Sequence, residues 1–296
     1  MVTLEQLDRR LKTLLPEAYR ESYEAVEPTP MGSAGLKYDA NGQVAWNEIW
    51  GSFCDLAMAG GPPHKGALLE PATPAAVDGA PERYEEVTTE LCRAITMVTE
   101  LPAAASPVPG WVRVDCYSDT MAGWLLRAVT MENVAATAER RALDLPASPH
   151  FRLDKEIKNV VTVLAKTNHY WEGHLPRMQS RAIAALFAEL AAETPLVTPA
   201  PATDPALVAS MAPANLAATI HRETGLQAAG PRYPNWFGVQ CPSVRAAVWM
   251  MRALVASNVL ARREDTTLFV PINTVTDLTG GRTAAVFARV YRLFAK

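Results

Sequence analysis

Residues 109–146 recur without gaps as residues 234–271, and this internal similarity constrains the fold more than any other feature of the chain. A constant offset of 125 residues pairs Trp111 with Trp236, Cys116 with Cys241, Ser118 with Ser243, Trp124 with Trp249 and Asn133 with Asn258. Alanine matches mean little in an alanine-rich chain. Tryptophan, cysteine and asparagine coinciding in one register do carry weight, and such a chain is expected to build one local structure twice.

Both copies read as β-α-ββ-α. Trp111 to Cys116 and Trp236 to Cys241 alternate apolar and polar positions, as half-buried strands do. Ser118 and Ser243 follow where a helix N-cap belongs. Met121, Trp124, Leu125, Ala128 and Val129 then form a helical stripe, repeated by Ala246, Trp249, Met250, Ala253 and Leu254. Asn133 and Asn258 come where a left-handed residue ends a helix. Val134 to Pro146 and Val259 to Pro271 read as hairpins turning at Arg140-Arg141 and Asp265-Thr266, each followed by another helix.

The first hundred residues read as a third, degenerate copy: a hairpin at Asn41-Gly42, a helix over Asn47 to Ala59, a strand over Ala67 to Leu69 and a helix over Glu82 to Thr99. Stretches rich in Pro, Ala and Thr, Pro102 to Pro109 and Thr194 to Pro213, are connectors that divide the chain into 1–101, 110–193 and 214–296. An extra helix is expected over Pro176 to Ala192. The fold class expected is α/β of the mixed α+β kind, with duplicated units.

With 49% hydrophobic and 20% charged residues, order is expected nearly throughout. The net charge of −3 argues against a surface made to neutralise phosphates. No apolar run is long enough for a membrane helix, and the amphipathic N-terminal stretch does not read as a signal peptide, so a cytoplasmic setting without membrane partners is expected. Four scattered cysteines suggest neither a disulfide framework nor a zinc site.

Three clusters could carry chemistry. Gly61, His64 and Lys65, within a Gly-Pro loop, could hold an anion, although such a loop also simply ends one element and begins another. Asp115, Cys116 and Asp119 lie at a strand-to-helix junction, where a helix N-terminus would favour a thiolate on Cys116, although a cysteine shared by both copies is more simply small buried packing. His169 and His174 lie near a helix end. Five residues apart they diverge by about 140° on an ideal helix, so they would share a metal only where the helix breaks, which Gly173 and Pro176 make plausible.

No hydrolase, zinc-protease or dinucleotide motif is present, and the residues name no cofactor. The leading expectation is an enzyme or small-ligand-binding protein with a site between the repeated units, where Lys65 and His64 hold an anionic group, Asp119 or His169 acts as acid or base, and His64 could also transfer a proton. A second reading is a winged-helix-like nucleic-acid binder built on Ser243 to Pro271 with Arg245, Arg252, Arg262 and Arg263. A third is an assembly protein with tryptophans at subunit interfaces, and internal duplication makes a homodimer the expected oligomer.

Overall fold

The structure, a computed structural model, describes residues 3–20, 35–50 and 53–295. Its helices are α1 (Leu4–Leu14), α2 (Pro74–Asp78), α3 (Pro81–Thr99), α4 (Asp119–Met131), α5 (Lys158–His174), α6 (Arg177–Glu193), α7 (Ala212–Thr224), α8 (Val244–Val255) and α9 (Gly281–Phe294). Its strands are β1 (Ala103–Ala105), β2 (Trp111–Asp115), β3 (Thr137–Glu139), β4 (Ala142–Pro146), β5 (Trp236–Gln240), β6 (Arg262–Glu264) and β7 (Thr267–Pro271). The fold is mixed α+β with two antiparallel sheets. By packing, the chain forms two units, residues 25–180 and residues 1–24 with 181–296.

In the 25–180 unit the sheet order is β1-β2-β4-β3. Trp111 lies opposite Pro146 and Asp115 opposite Ala142, so alternation puts Val112, Val114, Leu143 and Leu145 on one face, all buried. Arg113 and Asp144 face each other on β2 and β4 and join through two hydrogen bonds of 2.9 and 2.8 Å. The stripe Met121, Trp124, Leu125, Ala128 and Val129 of α4 is buried, and Trp124 meets Trp171 of α5 with ring centres 5.6 Å apart.

The other unit has the order β5-β7-β6 and α8 beside it. Trp249 of α8 packs on Phe294 of α9, again at 5.6 Å. Helix α1 buries Leu7, Leu11 and Leu14, and its buried Arg10 donates to Glu189 and Glu193 of α6 at 2.9 and 2.5 Å. Arg262 lies under the rings of Tyr233 and Phe269, 4.4 and 4.2 Å from their centres, and donates to Glu264 at 2.8 Å.

In both repeated stretches the caps, the left-handed asparagines and the turns stand where expected, but β5 is buried at every position except Gln240 rather than half-buried. Ser118 and Ser243 accept from the amides of Met121 and Ala246, each at 3.1 Å. Asn133 and Asn258 adopt φ of 63° and 62° and donate side-chain N–H bonds to the carbonyls of Lys65 and Thr194. Arg140 and Asp265, first in their two-residue turns, have φ of 53° and 52°.

The third copy expected in the first hundred residues does not take that form. Helix α3 and the turn at Gly42, φ 76°, are present, with a bridge between Tyr38 and Val44. In place of a helix over Asn47 to Ala59 there are 3₁₀ turns at Trp46–Glu48 and Ala57–Ala59, with Gly51 and Ser52 outside the described residues. Of Ala67 to Leu69 only Leu69 pairs, in parallel with Val134. Backbone groups here bond to one another in short turns, and the amides of Ala57 and His64 go to the side chain of Glu132 instead.

Two further expectations meet physical obstacles. Arg252, Arg262 and Arg263 are 2, 0 and 3% exposed, so three of the four arginines on which phosphate contact would depend are enclosed. Trp124 and Trp236 are buried within their own units rather than at a surface.

The two serine caps give a direct check. Ser118→Ala and Ser243→Ala should each lower unfolding stability by about 1 kcal/mol in urea titrations. Losses under ~0.3 kcal/mol at both sites would mean that the caps hold nothing.

Candidate functional site

Glu132 caps α4, and its carboxylate faces Lys166 of α5 at 2.8 Å with both side chains 0% exposed. The carboxylate also accepts the amides of Ala57 at 2.9 Å and His64 at 2.8 Å. Lys166 Nζ reaches Cys54 Sγ at 3.4 Å. Burial pulls the ammonium pKa down, but Glu132 and Cys54 outweigh it and hold Lys166 above its ordinary value, so the lysine is charged. One buried pair thus pins residues 54–64 to two helices.

That pinned segment carries an aromatic file. Trp46 stacks on Trp50 at 6.3 Å, Trp50 lies 6.2 Å from Phe53, and Phe53 lies 5.4 Å from His169. Trp46 Nε1 donates to Glu90 of α3 at 2.8 Å, and Trp50 Nε1 to Thr162 of α5 at 3.4 Å. The rings are therefore hung on α3 and α5.

Trp50, Phe53, Tyr117, Asn168 and His169 line a cavity of about 530 Å³, with the exposed Glu100 and Glu172 also in its lining. Asn168 is 7% exposed, and its Oδ1 is buried without a hydrogen-bond partner among the described residues. Glu100 ends α3 with φ 61° and ψ 5°, left-handed backbone that costs a side-chain-bearing residue roughly 1–2 kcal/mol. The corresponding end of α7 is Gly225, φ 74°, which adopts it freely. A second cavity of about 300 Å³ includes Arg83, Glu86, Glu90 and Arg93, but these charges pair among themselves, Arg83 with Glu86 and Arg93 with Glu90.

Of the residues singled out from sequence, His169 alone lines the 530 Å³ cavity. His64 Nε2 meets Asn159 Oδ1 at 3.1 Å; Asn159 and His169 are ten residues apart on α5, about 15 Å along its axis. Gly61 sits in a tight turn where a Cβ would come 2.5 Å from the Asp55 carbonyl oxygen, which accounts for glycine there. Lys65 uses its backbone, receiving Asn133 at its carbonyl. Asp115 and Asp119 are exposed at the end of β2 and the start of α4. Neither His64 nor Asp119 lines the 530 Å³ cavity.

Both cysteines are buried, as the packing reading expects: burial, with a contribution from Asp115, pushes the Cys116 thiol up to about 12, and burial puts Cys241 also at about 12, so the helix end does not yield a thiolate. His169 and His174 do not diverge: their Nε2 atoms are 3.2 Å apart. The pair supplies two nitrogens, and among the described residues no group of three or more His, Cys, Asp and Glu could hold a metal.

Sequence reasoning missed Trp50, Phe53, Asn168 and Glu100. Trp50 and Phe53 lie three apart, a usable signal, but that spacing was absorbed by an expected helix. Asn168 gives none, because nothing in the sequence distinguishes a buried amide from a surface one. No protein-family model, curated protein or solved structure matches this chain.

Lys166→Met should cost about 3–5 kcal/mol in denaturant titrations, because it leaves the Glu132 carboxylate buried with its charge unanswered. The double variant Lys166→Met/Glu132→Met should remain roughly 2 kcal/mol below the native chain, because Ala57 and His64 lose their acceptor. A double variant as stable as the native chain would show that the carboxylate serves the lysine alone.

His64 supplies a pH dependence. Burial, then the charge on Lys166, lowers its pKa from 6.5 to about 4. The folded chain therefore binds this proton less readily than the unfolded one. The contribution is complete above pH 6.5 and is lost as pH falls towards 4, on the order of 3 kcal/mol. His64→Gln should flatten the stability profile between these limits by that amount, and an unchanged slope would contradict the assignment.

Proposed function

We propose that the 25–180 unit binds a small organic molecule with a flat ring and a hydrogen-bond donor in the cavity of Trp50, Phe53, Asn168 and His169. The observation that carries this is the aromatic lining of the cavity together with Asn168, a lining residue whose buried Oδ1 has no partner among the described residues. An unmet buried acceptor costs about 1–3 kcal/mol, which a donor on a ligand would recover. The aromatic side chains offer faces for a ring, and cavities of this size and make-up suit small molecules.

His169 has its pKa lowered by burial and by the proximity of His174, so it presents a neutral imidazole able to accept a proton from a bound molecule. The site proposed lies within one unit, not between two. It draws on none of Gly61, His64, Lys65, Asp115, Cys116 and Asp119 for contact with the ligand.

We also infer that the two units descend from one duplicated β-α-ββ-α ancestor. The constant offset of the caps, the left-handed asparagines, the turn residues and the strand registers supports this. On that view the shared residues are scaffold, and what differs is where chemistry was added: Glu132 stands where the other unit has Ser257, and Glu100 where it has Gly225.

Screening donor-bearing ring compounds by NMR, following the Asn168 side-chain amide and the Trp50 indole N–H, tests the binding proposal. Bound compounds should shift both signals, and Asn168→Leu should weaken them by about tenfold, the equivalent of one lost hydrogen bond. Binders that shift only residues around Arg83 and Arg93, or none that shift Asn168, would defeat it.

A further inference from the structure

The cavity has a sign. Glu100 and Glu172 line it, no lysine or arginine does, and neither carboxylate has a hydrogen-bond or ion-pair partner among the described residues. The 300 Å³ cavity differs in that its acids are answered by arginines. Two carboxylates without counter-charge beside an aromatic wall create negative potential on one side and π faces on the other. Ring faces attract cations, most strongly where water is excluded.

Glu100 adds a second, independent point. The end of α3 could be a glycine, as the end of α7 is, at no conformational cost. Glutamate there forfeits stability, and its carboxylate makes no contact within the described residues that would compensate. Strain kept without local return is characteristic of positions that act on something outside the chain.

We propose that the ligand of this cavity is a cation, a ring compound bearing an ammonium or similar group, with Glu100 and Glu172 answering the charge, Trp50 and Phe53 covering the ring and Asn168 Oδ1 taking one of its N–H donors. This rests on the cavity being a binding site at all. It reverses the anionic ligand expected from His64 and Lys65: Lys65 does not line the cavity, and burial lowers the pKa of its amine.

Three probes that share a ring and differ in charge separate the possibilities: benzylammonium, benzyl alcohol and benzoate, titrated at pH 7.5 while the Asn168 amide and Trp50 indole signals are followed. Benzylammonium should bind ~5–10-fold more tightly than benzyl alcohol and lose that advantage in 0.5 M salt, and benzoate should bind most weakly. Glu100→Gln and Glu172→Gln should each reduce the preference for the cation and leave benzyl alcohol unaffected. Glu100→Gly should raise the unfolding midpoint while reducing benzylammonium binding, a combination that a merely structural glutamate would not give. If benzyl alcohol binds as well as benzylammonium and the glutamine variants change nothing, the charge assignment fails and the cavity still stands as a ring site. If none of the three moves the Asn168 or Trp50 signal, both fail.

Discussion

The pairing of Glu132 with Lys166 is the constraint on which the rest of the 25–180 unit hangs. Two charges removed from water cost several kcal/mol each, and the pair offsets this with further hydrogen bonds. The carboxylate takes two backbone amides besides the ammonium, and the ammonium touches a sulfur. What those contacts accomplish is not chiefly stability. They hold a segment with little secondary structure of its own against α4 and α5, and that segment brings Phe53 to His169. An irregular stretch with exposed amides becomes a wall because one carboxylate terminates its backbone groups.

The regular part of this architecture was legible in the residues. Serine before an apolar stripe, asparagine after it, and a polar pair between alternating strands each have one dominant local solution, and local solutions do not depend on distant partners. The irregular part was not. Asn47 to Ala59 has spacing that suits a helix, yet 3₁₀ turns form at its two ends and the amide of Ala57 goes to Glu132, more than seventy residues away. The facing of His169 and His174 departs from ideal helical spacing, and burial decides Cys116 as packing rather than as a thiolate. In each case a through-space term enters that local spacing does not contain.

The same contrast explains why the candidate site itself escaped notice. Its members come from the segment before residue 54, the end of α3, the start of α4 and the last turns of α5, and no two of those are neighbours in a motif. Histidine draws attention because it titrates near neutrality, and lysine because it carries a charge. Asn168 and Trp50 do not, yet a buried amide without a partner and a ring at a cavity edge say more about a ligand than a solvated charge does. At the end of α7 the same left-handed conformation is taken by Gly225, with φ 74°.

The two units also differ in how the chain threads them. Residues 25–180 form a continuous run, whereas the other unit joins residues 1–24 to 181–296, with Arg10 meeting Glu189 and Glu193 across some 180 positions. During synthesis, α1 emerges first and has nothing of its own unit to pack against. The continuous unit can complete its contacts while the ribosome is still making the rest, because its loops close over shorter distances. The buried leucines of α1 stay exposed through that interval, so the N-terminal helix is where a nascent-chain chaperone would find apolar surface to hold.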